Sequence, residues 1–263
     1  MPVVSSVARE PNPSTLKGNR MARIPDDLME RLLKAWRFLY RRGFIEGFGH
    51  LSARLPGEDL WLITRHSLGR EVHPEDYLLC DLAGRRIAGR GDLPGEYPIH
   101  LEILKARPDV GCVIHYHGMY STAFTSAATA AGPRPLRPIH LMGTLFHDGV
   151  PVYPDPRLVS SPERGVALAR ALGDHRAVLM RAHGAAITGE GVVEAIAGAF
   201  LFEENAHRAL LSAQLGEPQW LEDDLAADAG AELVRTRGPF RRVWALLEAD
   251  EADDPAAPSG GGR

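Results

Sequence analysis

Cysteine is nearly absent: Cys80 and Cys112 are the two among 263 residues. That excludes a disulfide-stapled scaffold and a thiolate-rich metal site. Each cysteine sits in an apolar, strand-like run and reads as a small buried thiol. Long hydrophobic runs are lacking too. None reaches the roughly 18 apolar residues of a membrane span, and MPVVSSVARE at the start has no basic segment leading into an apolar core. A cytoplasmic location with no membrane partner is the expectation. Charge of one sign is missing as well: 30 Lys and Arg against 34 Asp and Glu give a net charge of -4, so nucleic acid is not an expected partner.

What is present is an ordinary globular balance, 44% hydrophobic and 24% charged, with length enough for a three-layer core around one sheet. Residues 1–20, rich in Pro, Ser and Asn, read as a mobile arm; 21–248 as one catalytic domain; 249–263 as a disordered tail too polar and Gly/Pro-rich to pack. IPDDLMERLLKAWRFLYRRG predicts a helix ending at Gly43, with Leu28, Leu32, Leu33 and Trp36 as its stripe. LSARLP with LWLITRH, and YLLCDLAGRRIAG, predict hairpins. Pro98 opens a helix closed by Pro108, and Gly118 to Thr129 reads as helical. VPVYPDP suits a short edge strand. Helices follow over Pro162–Leu172 and Val192–Leu215, then an alanine-rich one after Leu221. The fold class is α/β, three αβα layers with a largely antiparallel central sheet.

The chemistry enters at VGCVIHYHGMY, residues 110–120. Side chains alternate along a strand, so His115 and His117 project from one face and Tyr116 from the other. Imidazoles about 6–7 Å apart along a strand can converge on one ion, although the same pattern also fits two surface histidines. AVLMRAHGAAITGEG likewise ends an apolar run in His183, and Gly184 after it lets backbone come close. LPGEYPIHLEI puts Glu96 at a helix mouth, where a carboxylate serves either chemistry or capping. His100, a turn further on, either orients Glu96 or a ligand from behind, or simply packs. His140 in a proline-rich loop and Tyr120 just beyond His117 are candidates to line a pocket or meet a neighbouring subunit. Spacing alone does not bring these segments together.

Taken in order, GFGHLSARL, WLIT, HPEDYLLCDLAG, LPGEYPIHLEIL, the His-x-His strand and RAHGAAITGEG resemble the class II aldolase/adducin family over residues 28 to 215. The resemblance implies a single αβα domain, His115, His117 and His183 as metal ligands, and Glu96 as an acid/base carboxylate. It also implies a homotetramer with active sites near subunit contacts. The sugar-phosphate aldolases of that family have asparagine where His50 stands, proline and serine in place of Arg65 and His66, and two serines in place of Pro94 and Gly95. With these phosphate-binding elements altered together, a sugar phosphate is not expected. FGHLSARL, LMRAHG and RPLRPIHLMG are more similar to the branch holding a hydroxypyridine-dicarboxylate decarboxylase and a non-heme iron oxygenase of aminocoumarin antibiotic biosynthesis.

The expectation is therefore a divalent-metal-dependent carbon–carbon lyase that decarboxylates a hydroxylated aromatic or related hydroxy or oxo carboxylic acid. One Zn, Mn, Co or Fe(II) ion per subunit and no organic cofactor are implied. Arg65, with its planar donor fork, is the expected clamp for a second or departing carboxylate, with Ser67 beside it and His140 and Tyr120 as further substrate contacts. Glu96, His50 or His66 would carry the proton. The runner-up is an Fe(II) oxygenase that oxidatively decarboxylates an aryl 2-oxo or 2-hydroxy acid, since imidazole binds iron and zinc alike. A retro-aldolase on an unphosphorylated hydroxy-oxo acid comes next, and a non-catalytic adducin-like interaction protein last.

Overall fold

The computed structural model describes residues 24–129, 132–133 and 135–252. Among them, an eight-stranded sheet lies between two helical layers. Its strands are β1 (His50–Arg54), β2 (Leu60–Thr64), β3 (Tyr77–Asp81), β4 (Arg86–Ala88), β5 (Cys112–Tyr116), β8 (Val152–Tyr153), β9 (Ala177–Met180) and β10 (Gly184–Gly189). Their spatial order is β4-β3-β2-β1-β5-β10-β9-β8, antiparallel throughout except for the β8–β9 edge pair. A separate small ribbon joins β6 (Ala128–Thr129) and β7 (Gly132–Pro133).

Each central strand is apolar on both faces because both are covered. On one face Leu62, Leu79, Ile114, Leu179 and Ile187 pack with α1 (Asp26–Arg41) and α5 (Val192–Leu215), through Leu32, Trp36, Ile196 and Phe202. On the other, Trp61, Ile63, Leu78, Val113, Val178 and Met180 pack with α2 (Tyr97–Ala106) and α4 (Pro162–Leu172), through Ile99, Ile103 and Leu168. His115 shares the parity of Val113 and so belongs to the α2 face. Tyr116 goes to the opposite side, stacking on Phe44 at 5.4 Å and donating to the Ala199 carbonyl. The two thiols are buried and unpaired as expected, and burial pushes Cys80 up to about 12.

Three expectations need correction. The helix after Gly118 is α3 (Met119–Ser126), not a helix to Thr129. The Thr125 and Ser126 hydroxyls bond back to the Thr122 carbonyl, and the chain leaves extended at Ala127. His140 opens an unforeseen 3-10 turn over Leu141–Phe146. The alanine-rich helix, α6 (Asp223–Thr236), is followed by another, α7 (Gly238–Ala252). Arg237 in the left-handed region makes the turn between them, and Pro239 suits a first helical turn because its missing N–H costs nothing there. Positions 249–252, expected in the tail, are therefore helical. The rest of that tail and the arm over 1–20 lie outside the described residues.

α7 is held to α1 by ion pairs, Arg37 with Glu251 and Arg42 with Asp250. Both partners of the first pair are largely shielded, 16% and 13% exposed, so solvent screens it less than a surface pair. Replacing Asp250 and Glu251 together by Ala should lower stability by about 1–2 kcal/mol. Urea denaturation checks this; an unchanged midpoint would mean that the helix is held by Phe240, Val243 and Leu247 alone.

Candidate metal centre

β5 runs down the middle of the sheet and brings His115 to its end, with His117 one residue past the last ladder pair. The tight turn from β9 into β10 supplies His183, and Glu96 stands where α2 begins. One donor atom from each of these four residues lies within 4.8 Å of every other. The three rings are mutually steep, with centroids 4.9–5.3 Å apart and interplanar angles of 71–88°, so their edges converge rather than stack. Glu96 and His183 are nearly buried and His115 is wholly so.

A cross-strand neighbour fixes the His115 imidazole. His115 Nδ1 lies 3.1 Å from the Ala185 carbonyl of β10 and donates to it, which leaves the Nε2 lone pair directed into the cluster. Gly184 is needed as the sequence suggested: a Cβ there would run into the Tyr116 carbonyl. Glu96 occupies the cap position of α2, yet its side chain does not cap the helix. Oε1 accepts the Val159 N–H at 2.7 Å, and Oε2 faces His183 and His115 Nε2 at 3.5 and 3.6 Å. The Nε2 atoms of His115, His117 and His183 are buried without hydrogen-bond partners. Three orphaned imidazole nitrogens and one carboxylate oxygen facing a single point are a donor set that fits a divalent ion.

Burial dominates the electrostatics. It holds His117 down at about 4, helped by its neighbours His115 and His183. It holds His50 at about 3, with His115 adding to the effect. His100 is pushed well below its ordinary value by burial and by His50. Burial raises the Glu96 carboxyl, but the opposing pull of His115, His183 and the Val159 N–H wins and keeps it well below the usual carboxylate range. The site thus holds one ionised carboxylate beside His117, whose burial favours the neutral ring that metal binding requires.

A cavity of about 520 Å³ opens over the cluster, lined by Trp36, Phe48, Leu68 and Leu158 together with His50, His66, Ser67, Glu96 and His117. A larger cavity, about 690 Å³ beside Met29 and Ala88, contains none of the donor residues. His50, His66 and Ser67 thus reach the pocket, and Ser67 does so in the left-handed region at φ 56°. Arg65 does not. Thr64 pairs with Tyr77, so the next pair of positions sets Arg65 beside Asp76, and its guanidinium is spent on that carboxylate at 2.7 Å and on the His66 and Ser67 carbonyls. Tyr120 lies flat on His207, centroids 3.9 Å apart, and His140 accepts the Met142 N–H; neither lines this cavity. His100 contacts Ser52 Oγ at 2.7 Å and meets the His50 ring edge-on, so it sits behind His50 rather than behind Glu96.

Sequence reasoning missed the pocket walls. Trp36 read as plain core; its indole N–H also donates to the Gly69 carbonyl and pins the 65–69 loop. Phe48 stacks on His117 at 5.7 Å. An exposed aromatic inside the glycine run GFGH was the available signal, since Phe48 is 68% exposed.

An αβα sandwich with this donor set at the end of its central strand defines a metal-dependent enzyme. The profile of the Class II Aldolase and Adducin N-terminal domain matches residues 30–210, and the chain belongs to that family. It is 32% identical over 223 residues to a 3,4-dihydroxyphthalate decarboxylase of Arthrobacter keyseri, a match covering 80% of this chain and 88% of that protein. It is also 32% identical over 160 residues to a 4-hydroxy-3-prenylphenylpyruvate oxygenase/4-hydroxy-3-prenylbenzoate synthase of Streptomyces roseochromogenus subsp. oscitans, covering 60% and 56%. Its fold is that of an aldolase II superfamily protein from Pseudomonas syringae: TM-score 0.75, 22% identity, 89% of this chain and 95% of that one. The chain is thus related to decarboxylase-type members of the family.

The depressed histidines make stability depend on pH. In the unfolded chain they take up protons below about pH 6.5; in the fold His117 and His50 resist until about 4 and about 3. The unfolded state then binds more protons, so the metal-free protein should lose stability as pH falls from about 6.5 toward 4, by up to about 1.4 kcal/mol per pH unit for each such group. Urea midpoints across that range should fall, and less steeply for His50→Asn. Equal slopes would show that His50 is not among the groups responsible.

Proposed function

We propose that this protein is a divalent-metal-dependent decarboxylase of a hydroxylated aromatic carboxylic acid, with His115, His117 and His183 as the metal ligands. The observation that carries the reading is the meeting of Glu96 with the three histidines at the floor of a cavity whose walls are aromatic and apolar. Kinship to dihydroxyphthalate decarboxylases supports the substrate class. When bound, the ion supplies Lewis-acid stabilisation of negative charge on substrate oxygens.

The chain does the rest. Trp36, Phe48, Leu68 and Leu158 offer flat apolar walls suited to a ring. His66 and Ser67, rather than Arg65, are the polar groups available to a second carboxylate at the rim. Glu96, held ionised, takes the proton of the substrate hydroxyl on binding. As the ring carbon–carboxylate bond breaks, its electron pair stays on the ring carbon, carbon dioxide leaves, and Glu96 returns the proton to that carbon. His50 is kept neutral, so it hydrogen-bonds to substrate oxygens instead of acting as the acid. The tetramer implied by family resemblance is part of this proposal, and exposed Phe48 and Met119 beside His117 are the side chains it would cover.

The same three-histidine ligand set supports a second reading, an Fe(II) oxygenase, and the oxygenase relative favours it. One preparation tests both. Metal should be present near one ion per chain and absent from His115→Ala, and 3,4-dihydroxyphthalate should release carbon dioxide without oxygen uptake. Glu96→Gln should retain metal and lose turnover by roughly 100-fold or more. Iron with oxygen uptake on 4-hydroxyphenylpyruvate would replace the first reading with the second; no bound metal would remove both.

A further inference from the structure

α3 starts two residues after His117, and its cap position is Gly118, which has no side chain to serve the first-turn N–H groups. The acceptor comes instead from α5. Glu203, 3% exposed, accepts the Tyr120 N–H at 3.1 Å and the Ser121 N–H at 3.4 Å through Oε2. These are the second and third residues of the helix, the donors a capping side chain ordinarily satisfies. Oε1 of Glu203 is buried with no hydrogen-bond partner, and a Cβ at position 118 would collide with it. Gly118 and Glu203 are therefore a matched pair.

The other end of α3 is tied to a second ligand. Thr125 Oγ1 accepts the N–H of Ala182 at 3.1 Å. Ala182 immediately precedes His183 and lies in the left-handed region at φ 51°, a conformation uncommon for any residue but glycine. The turn itself is closed by the His183 N–H donating to the Met180 carbonyl at 3.1 Å, and the Thr125 hydroxyl ties it to α3. α3 thus spans from the residue after one imidazole to the residue before another, and it is fastened at both ends by a single side-chain acceptor.

We propose that Glu203 and Thr125 are positioning residues for metal binding: Glu203 anchors the start of α3 and Thr125 its end, and together they set the separation of His117 and His183. The inference rests on the metal-site reading above. Neither residue is among the donors, so their effect is to prearrange two ligands that the ion would otherwise have to gather.

The test uses full-length protein stripped with a chelator and titrated with Co(II), read by its visible ligand-field spectrum and by competition with a chelating dye. Glu203→Ala should bind roughly 10- to 100-fold more weakly with an altered spectrum. Glu203→Gln, whose amide oxygen can accept the same two N–H bonds, should restore most of the affinity. Thr125→Val, close in shape but unable to accept, should weaken binding several-fold, and Thr125→Ser should rescue it; this pair decides the matter if Glu203→Ala fails to fold. Wild-type affinity and spectrum in Glu203→Ala and Thr125→Val would overturn the inference while leaving the metal site intact. If wild-type protein itself takes up no cobalt, the metal reading falls and the inference with it.

Discussion

The contact on which the site depends is the one from His115 Nδ1 to the Ala185 carbonyl, across the β5–β10 ladder. A ring nitrogen that donates to a neighbouring strand forces the other nitrogen to be the acceptor, so the tautomer of a metal donor is decided by sheet register. That register also sets His50 opposite His115 on the far strand. A slip of one residue in either pairing would turn His115 to the α5 face, among Ile114's neighbours, and scatter the cluster. Apolar cladding on both faces makes such a slip costly, and in this sense the two hydrophobic layers maintain the coordination geometry.

The second constraint is electrical. Burial favours the neutral ring at His50 and His117, while His115, His183 and the Val159 N–H keep Glu96 an anion against the cost of its own burial. An unsatisfied buried nitrogen is expensive in a core that never binds anything. Three of them facing one another beside a carboxylate could hold a cation.

The parts of this arrangement written into local sequence were readable. Apolar runs ending in histidine marked β5 and the β9–β10 turn, Gly184 marked the close backbone, and Glu96 before Pro98 marked the helix mouth. Features that depend on partners far along the chain were not. Nothing near Gly118 announces that Glu203 will cap its helix, and the cavity walls come from Trp36, Phe48, Leu68 and Leu158 on separate segments. Arg65 shows the same limit, because a guanidinium's chemistry does not name its partner. The β2–β3 register does: Thr64 opposite Tyr77 sets Arg65 beside Asp76. The one alanine-rich helix expected after Leu221 is two, the second starting at Gly238-Pro239, since proline is tolerated in a first turn.

The margins of the sheet have a consequence for handling the protein. One outer strand, β8, is two residues long and closed in by Pro151 and Pro154. The other, β4, is three residues long, begins with Arg86, and runs out at Gly89 with its positive φ. Neither offers a second chain a long, flat row of free amides and carbonyls. Dissolved at high concentration, the protein is guarded against strand-to-strand aggregation at the places where an open sheet is most vulnerable to it.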